Sequence, residues 1–366
     1  MVKYLVFLTF FASNLCFANV AGSDLQNFNP TSNGLDFITV QSSRTLEPLE
    51  FNLGSFVTYS TNTLPYAIDA NAPNNQTFTD TNDRHLYSFL HFGLGIMKGW
   101  DFGINAVFLN TQDVEQSNNL INYGDSGIDD IRLNTKVRVL KGPDWGFALL
   151  AGVDFDQIQN NPFAGENAGP SINLEGAIDI YLTPAWLWSV NLGYRIRQKG
   201  TTIPNTGIEP ISNQVIYSSA MAYETNKKGS AVIFELFGSY PVESFTLPTD
   251  RQTSNLETVL GYRWRAIENL DIHGGLGTEI YHGLGTPDFR AFLGLNFRLG
   301  FLQKKSNEQK YKFSDAEKYR SDQPKILQKT MNKDSDGDGV RDQDDRCKNT
   351  PEGVSVNGYG CEVKDY

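Results

Sequence analysis

Apolar and polar residues alternate through most of the chain between residues 49 and 301, in stretches of about ten residues separated by turns or loops. In residues 131–139, one face carries Ile, Leu, Thr and two Val, and the other carries Arg, Asn, Lys and Arg. A period of two is typical of β-strands. The pattern predicts twelve strands, near 49–59, 85–97, 100–110, 129–140, 144–156, 171–181, 185–198, 213–224, 231–240, 255–265, 269–281 and 287–298.

The connections between these strands alternate between short turns and longer polar loops, which indicates an up-and-down antiparallel meander. Two architectures fit, a soluble sandwich and a barrel in lipid. The tryptophans favour the barrel, because all five lie beside the short turns and would form a girdle at one end, whereas a sandwich would scatter them through its core. Tyrosines fall at the opposite end. The predicted fold is an all-β transmembrane barrel with aromatic belts at Trp100, Trp145, Trp186, Trp188 and Trp264 and at Tyr59, Tyr194, Tyr217, Tyr240 and Tyr281.

Charged residues fall on the inward face of the predicted barrel. They either line an aqueous pore or pair across the lumen and plug it. Side chains fill the interior of an eight-stranded barrel, and a sixteen-stranded barrel contains a channel, so a twelve-stranded barrel is compatible with both interpretations. In the last strand, Ala291, Leu293, Leu295, Phe297, Leu299 and Phe301 are predicted to face lipid, and Phe292, Gly294, Asn296 and Arg298 the lumen. The other inward charges are Arg132, Lys136, Arg138, Asp154, Asp156, Glu175, Asp179, Arg195, Arg197, Glu235, Glu257, Arg263, Arg265 and Arg290.

Composition narrows the class of protein further. The 366 residues carry a net charge of -11 with a pI near 4.9, which argues against a nucleic-acid partner. A mean hydropathy of -0.36, with a long apolar run only at the N-terminus, excludes an α-helical membrane protein. Residues 1–18 have the pattern of an export signal, and Cys16 leaves with it. Cys347 and Cys361 then remain as an even pair in an oxidising compartment.

The chain changes character after the barrel, predicted over 49–301. Residues 302–333 read as a polar linker, and residues 334–366 open with an Asp-rich loop. Carboxylates at positions 1, 3, 5, 9 and 12 of that loop, with Gly at 6, reproduce the spacing of a calcium loop, although an isolated Asp-rich run is also typical of a solvated spacer. The predicted calcium ligands are Asp334, Asp336, Asp338, Asp342, Asp345 and the carbonyl of Val340.

The Asp-rich loop continues into Cys347–Gly353 and on to Gly360 and Cys361, and the whole stretch resembles a thrombospondin type 3 repeat. The resemblance implies bound calcium and a disulfide between Cys347 and Cys361. The barrel, with residues 28–49 ahead of it, resembles OmpA-like outer-membrane proteins, and residues 294–299 resemble the C-terminal signal for barrel insertion. The resemblance implies a bacterial outer membrane, with residues 19–48 and 334–366 in the periplasm. The peptidoglycan-binding domain that follows the repeat in relatives is not in this sequence, so peptidoglycan is not an expected partner.

The predicted function is therefore structural or porin-like, with membrane lipid around the barrel and small solutes or ions in its lumen. One alternative is adhesion to a surface ligand through the loops 60–84 and 111–128. Another is a hydrolase at the outer rim using His282 with Asp129 and Asp130, which is weak because two acids and a histidine occur by chance in most chains of this length. No catalytic residue is predicted. The inward glycines at 93 and 95 are interpreted as relief of crowding in the lumen.

Overall fold

The computed structural model of the protein describes residues 26–63, 67–68, 78–79, 82–114, 126–158, 161, 163–203, 209–225, 229–243, 254–300, 333–351, 353–359 and 361–363. The export signal, Phe301, nearly all of the linker, and most of the loops 60–84 and 111–128 lie outside these residues. No helix in the described ranges is both long and apolar enough to cross a bilayer.

Fourteen strands occur in the described residues, and twelve of them form one closed antiparallel barrel. Each barrel strand pairs with its neighbours along the chain, β1 also pairs with β14, and β2 and β3 form a separate pair. All twelve predicted strands are confirmed, with ends shifted by up to four residues. The strands are β1 (Glu50–Thr61), β2 (Ala67–Ile68), β3 (Phe78–Thr79), β4 (Asp83–Met97), β5 (Trp100–Val114), β6 (Gly127–Lys141), β7 (Trp145–Asp156), β8 (Ser171–Thr183), β9 (Trp186–Ile196), β10 (Gln214–Glu224), β11 (Ala231–Pro241), β12 (Asn255–Ile267), β13 (Leu270–Tyr281) and β14 (Phe289–Gly300).

Burial alternates along the barrel strands as the sequence pattern predicts. On β14, Leu293 and Leu295 are exposed on the outside, whereas Phe292 and Asn296 are buried inside. All five tryptophans are exposed on the outer surface beside the short turns. An apolar outer face with aromatic residues at its edge is the surface of a barrel in lipid, because hydrocarbon accepts only closed sheets and apolar side chains.

The interior of the barrel contains the chain segment that precedes β1, which the sequence analysis did not predict. Residues 26–48 run inside the lumen, where Phe28, Phe37 and Ile38 are at most 1% exposed. The sequence analysis predicted that residues 19–48 lie in the periplasm, whereas the described residues 26–48 lie inside the barrel. The inward side chains of the strands do not fill a barrel of this width by themselves. The lumen therefore has room for a further stretch of chain, whose apolar side chains become buried there.

The C-terminal residues from Lys304 form a second compact unit. Its described residues run mostly in turns, with Gly337 and Gly339 at positive φ, a conformation that glycine adopts without strain. Cys347 and Cys361 form a disulfide with their Cα atoms 5.1 Å apart.

Candidate functional site

The segment of residues 26–48, called here the inner segment, passes through the lumen from one end of the barrel to the other. Near its start, the Asn27 side chain donates to the carbonyl of Gly285 in the loop between β13 and β14. At its end, Leu49 N donates 2.8 Å to the carbonyl of Gly95, beside the short turn between β4 and β5. The inner segment therefore joins the long-loop end of the lumen to the short-turn end.

Carboxylates on the barrel wall accept hydrogen bonds from the backbone of the inner segment. The fully buried Glu235 accepts from Ile38 N at 2.6 Å, from Thr39 N at 3.0 Å and from Thr39 Oγ1 at 2.6 Å. Asp179 accepts from the backbone N of Ser43. These carboxylates replace the carbonyl partners that buried N–H groups would find in a sheet.

Wall cations bind the carbonyls of the same segment. Arg263 Nη1 donates to the Asp36 carbonyl at 2.7 Å, Arg138 Nε to that of Ser43 at 2.7 Å, and Lys136 Nζ to that of Ser42 at 3.1 Å. The predicted inward charges Arg265 and Arg298 both pair with Asp271, which was not among the predicted inward charges. The sequence analysis left two roles open for the inward charges, lining a pore and pairing across the lumen. Neither interpretation predicted that these charges bind a segment of the chain.

Inward glycines admit the backbone of the inner segment. A Cβ on Gly95 would lie 1.9 Å from the Glu47 carbonyl oxygen, and one on Gly93 would lie 2.5 Å from that of Ser32. The glycines therefore relieve crowding in the lumen, as predicted, and the neighbour they make room for is main chain.

One side of the lumen, formed by β1, β4, β13 and β14, is closed by aromatic packing. The Phe28 ring lies 5.0 Å from that of Phe292 and 5.9 Å from that of Phe89, measured between centroids. Asn296 bridges two buried imidazoles, with His91 Nε2 at 2.8 Å from its Oδ1 and His273 Nε2 at 3.1 Å from its Nδ2. These contacts leave little room on that side.

Open space occurs on the other side, between the inner segment and the wall from β5 to β11. Two cavities of about 140 and 110 Å³ and a smaller one of about 30 Å³ occur there. Asn29 and Arg195 line all three. Polar and charged side chains dominate the largest, which includes Asp101, Asn134, Lys136, Asp154, Glu175 and Asn191.

The contacts of Glu235 predict how firmly the inner segment is held. Glu235→Ala leaves buried N–H donors of Ile38 and Thr39 without their acceptor, at a cost of about 1–3 kcal/mol for each group. We expect trypsin to cleave after Arg44 several times faster in this variant, measured by limited digestion of the folded barrel with mass spectrometry. Glu243→Ala removes an exposed carboxylate and is the control. Equal cleavage rates in all three proteins would contradict the assigned role.

In the C-terminal unit, the structure brings together three of the predicted calcium ligands. Asp334, Asp336 and Asp338 each offer a carboxylate oxygen, and these atoms lie within 4.8 Å of one another. Asp338 Oδ2 is buried without a hydrogen-bond partner among the described residues. Hard oxygen donors with one orphaned atom fit a calcium ion.

The other predicted ligands make different contacts. The Asp342 carboxylate accepts from the N and Oγ of Ser335, which lowers the pKa of Asp342, and Asp345 Oδ1 accepts from Cys347 N at 2.7 Å. Val340 N donates to Asp338 Oδ1 at 2.8 Å, and its carbonyl stays a predicted ligand.

The residues of the rim-hydrolase hypothesis belong to separate contacts. His282 Nδ1 lies 2.7 Å from Glu279 Oε1 at the long-loop end. Asp130 pairs with Arg132 at 2.6 Å, and Asp129 is buried beside it in the wall. The geometry around His282 is therefore that of a histidine–glutamate pair, and Asp129 and Asp130 belong to the lumen.

The closed twelve-stranded antiparallel barrel, apolar outside and charged within, has the fold of outer-membrane barrels. A channel of the outer membrane from Pseudomonas putida F1 has a similar fold, with a TM-score of 0.53 and 12% identity over 72% of this chain and 100% of that chain. The NanC porin gives a TM-score of 0.46 at 8% identity, over 68% and 100% of the two chains. The KdgM porin gives 0.41 at 5%, over 67% and 98%.

Among protein families, a model described as putative MetA-pathway of phenol degradation matches residues 67–228. No curated protein matches the chain. These matches give no support to the OmpA-like and thrombospondin type 3 resemblances, which stay predictions.

Proposed function

We propose that the protein is a channel of the bacterial outer membrane for small polar solutes, narrowed by its inner segment. The observation that carries this proposal is the series of cavities along β5–β11, which share Asn29 of the inner segment and Arg195 of the wall. The similar fold of an outer-membrane channel supports it. The family match to residues 67–228 supports a role that serves phenol degradation.

The geometry limits what such a channel passes. Cavities of about 110 and 140 Å³ accept one small molecule at a time, and hydrogen-bonding groups of both charge signs replace the water around a polar solute. The short-turn end, where β1 begins and β14 ends, faces the periplasm by the usual topology of bacterial barrels. The C-terminal unit would then follow on the periplasmic side.

Solute uptake into proteoliposomes tests the channel. The full chain, refolded into lipid vesicles, should admit arabinose and glycine faster than empty vesicles do and should exclude a trisaccharide. The same chain adsorbed without folding, as judged by heat-modifiable electrophoresis, controls for leakage. Uptake equal to that of empty vesicles for every solute would remove the proposal and leave a closed structural barrel.

We further propose that the C-terminal unit binds calcium through Asp334, Asp336 and Asp338. A cation would offset both the mutual repulsion of the three convergent carboxylates and the desolvation of Asp338 Oδ2, which is buried without a hydrogen-bond partner among the described residues. Adhesion through the loops 60–84 and 111–128 stays a prediction, since most of both loops lies outside the described residues.

Substitution of one proposed ligand distinguishes a specific calcium site from non-specific attraction of calcium to an acidic segment. Asp338→Ala in the full chain should abolish the calcium titration signal in calorimetry, where the native chain should bind in the range of about 10⁻⁴ to 10⁻³ M known for extracellular modules. Asp344→Ala is the matched control, because Asp344 is exposed and pairs with Arg341. Identical titrations for Asp338→Ala and Asp344→Ala would show that calcium binds elsewhere.

A further inference from the structure

The cavity of about 110 Å³ is lined by one cation, Arg195, and one anion, Glu175, and these two side chains form no ion pair with each other. Arg195 of β9 donates to neutral oxygens, to Asn173 Oδ1 at 2.7 Å and to Gln214 Oε1 at 3.5 Å, and it has no ion pair within the part of the chain that the structure describes. Glu175 of β8 lines the two larger cavities and makes no side-chain hydrogen bond to another described residue. Both groups therefore have bonding capacity directed at the open space.

The strand register places the two residues on the same face of neighbouring strands. Asn173 pairs with Arg195, and Glu175 pairs with Gly193, so Arg195 and Glu175 are diagonal neighbours with Cα atoms about 7–8 Å apart. The Glu175 side chain lies over Gly193. A Cβ there would lie only 2.4 Å from Glu175 Cγ, so the glycine is what allows the Glu175 side chain its position.

An apolar surface completes the 110 Å³ cavity. Ile216 of β10 and Phe237 of β11 face inward beside Arg195 and Glu175, and Asn29 and Thr39 of the inner segment close the opposite side. Apolar and aromatic side chains of this kind pack against the face or edge of an aromatic ring.

These features together select a ligand class. A guanidinium with free donors binds a carboxylate, and an ionised carboxylate accepts from a hydroxyl. A ligand with only a carboxylate would leave Glu175 without a hydrogen-bond donor, whereas an uncharged phenol would offer no carboxylate to the unused N–H donors of Arg195. We propose that this cavity binds a small aromatic carboxylate that also bears a hydroxyl group. This inference rests on the proposed channel function and names the solute that the channel prefers.

Equilibrium binding to the full chain folded in detergent micelles tests the ligand class. The probes are 4-hydroxybenzoate, benzoate and phenol, which differ by one functional group each. We expect benzoate and phenol to bind at least about tenfold more weakly than 4-hydroxybenzoate, as expected for the loss of a hydrogen bond to a charged group. Calorimetry or ligand-observed NMR measures this. Equal binding of the three probes, or none by any, overturns the inference without the need for any variant.

Two substitutions assign the roles of the wall residues. Arg195→Gln should remove the preference for 4-hydroxybenzoate over phenol, and Glu175→Gln should remove its preference over benzoate. Lys199→Gln is the control, because it removes an exposed charge near the long-loop end that pairs with Glu243. A retained preference in both cavity variants overturns the inference. Solute uptake by vesicles without any preference among the probes also overturns it while leaving the channel intact, whereas selective binding without uptake removes the channel alone.

Discussion

A chain that lacks residues 26–45 should conduct ions far better than the full chain does in planar bilayers. The barrel closes through its own strands, so the deletion removes no strand pairing. It does remove Phe28, Phe37 and Ile38 from the lumen, together with the backbone that occupies its centre. A twelve-stranded wall is too wide for its own side chains to fill, so water should enter along the whole barrel.

The charges that bind the inner segment predict the selectivity of the opened channel. The acidic ones are Glu50, Asp101, Asp179 and Glu235, and the basic ones are Arg132, Lys136, Arg138 and Arg263. Equal numbers of the two signs should give only weak preference between cations and anions, measured as a reversal potential close to zero in a salt gradient.

Deletion of residues 334–366 provides the matched control, because it shortens the chain and leaves the inner segment in place. We expect this protein to conduct like the full chain. If the deletion of 26–45 and the deletion of 334–366 gave the same conductance, the inner segment would not be what narrows the lumen.

The barrel could be predicted from the sequence because lipid imposes two strict conditions on it. Each strand must alternate between lipid and lumen, and the sheet must close, so period two in residues 131–139 and the even strand count were enough. The same pattern gave the inward direction of Glu235 and Arg195. The pattern did not predict the hydrogen-bond partners of Glu235 and Arg195, because these partners lie on the inner segment or on other strands, whose positions depend on packing.

The inner segment escaped prediction for a physical reason. Residues 26–48 follow neither a strand nor a helix period, because their neighbours surround them on all sides and no face is exposed. Two signals were available in the sequence: the apolar Phe28, Phe37 and Ile38 ahead of the first strand, and the inward Gly93 and Gly95. Apolar residues in a short exported segment need a place to be buried, and small residues on an inner wall mark where main chain approaches.

The predicted calcium loop shows a similar limit. Residue spacing predicts Asp334, Asp336 and Asp338 among the ligands, and the structure brings their carboxylate oxygens within 4.8 Å of one another. Asp342 and Asp345, predicted from the same spacing, accept hydrogen bonds from Ser335 and Cys347. Spacing gives the residue types of a site, and backbone conformation decides which of them converge.

Arg290→Met should lower the free energy of unfolding of the barrel by about 3–5 kcal/mol, the usual cost of removing one partner from a buried ion pair. Arg290 and Glu257 are both fully buried and form two parallel hydrogen bonds, one of them 3.1 Å from Nη2 to Oε2. Arg290 also donates to Thr58 Oγ1 and lies 5.3 Å from the Phe28 ring centroid. Without the guanidinium, the Glu257 carboxylate is left desolvated and uncompensated. Urea titration of the folded barrel in detergent measures the change.

The double variant Arg290→Met with Glu257→Leu removes both charges of the ion pair, whereas Arg290→Met alone leaves the Glu257 carboxylate buried without its partner. Because two apolar side chains of similar volume leave no charge buried, it should recover most of the stability that Arg290→Met loses. Lys199→Gln supplies the comparison at the surface, where Lys199 and Glu243 also lie 3.0 Å apart but are 48% and 60% exposed; its cost should stay below about 1 kcal/mol. A double variant as unstable as Arg290→Met alone would mean that Arg290 acts through Phe28 and Thr58 and that the charge of Glu257 is not the cause.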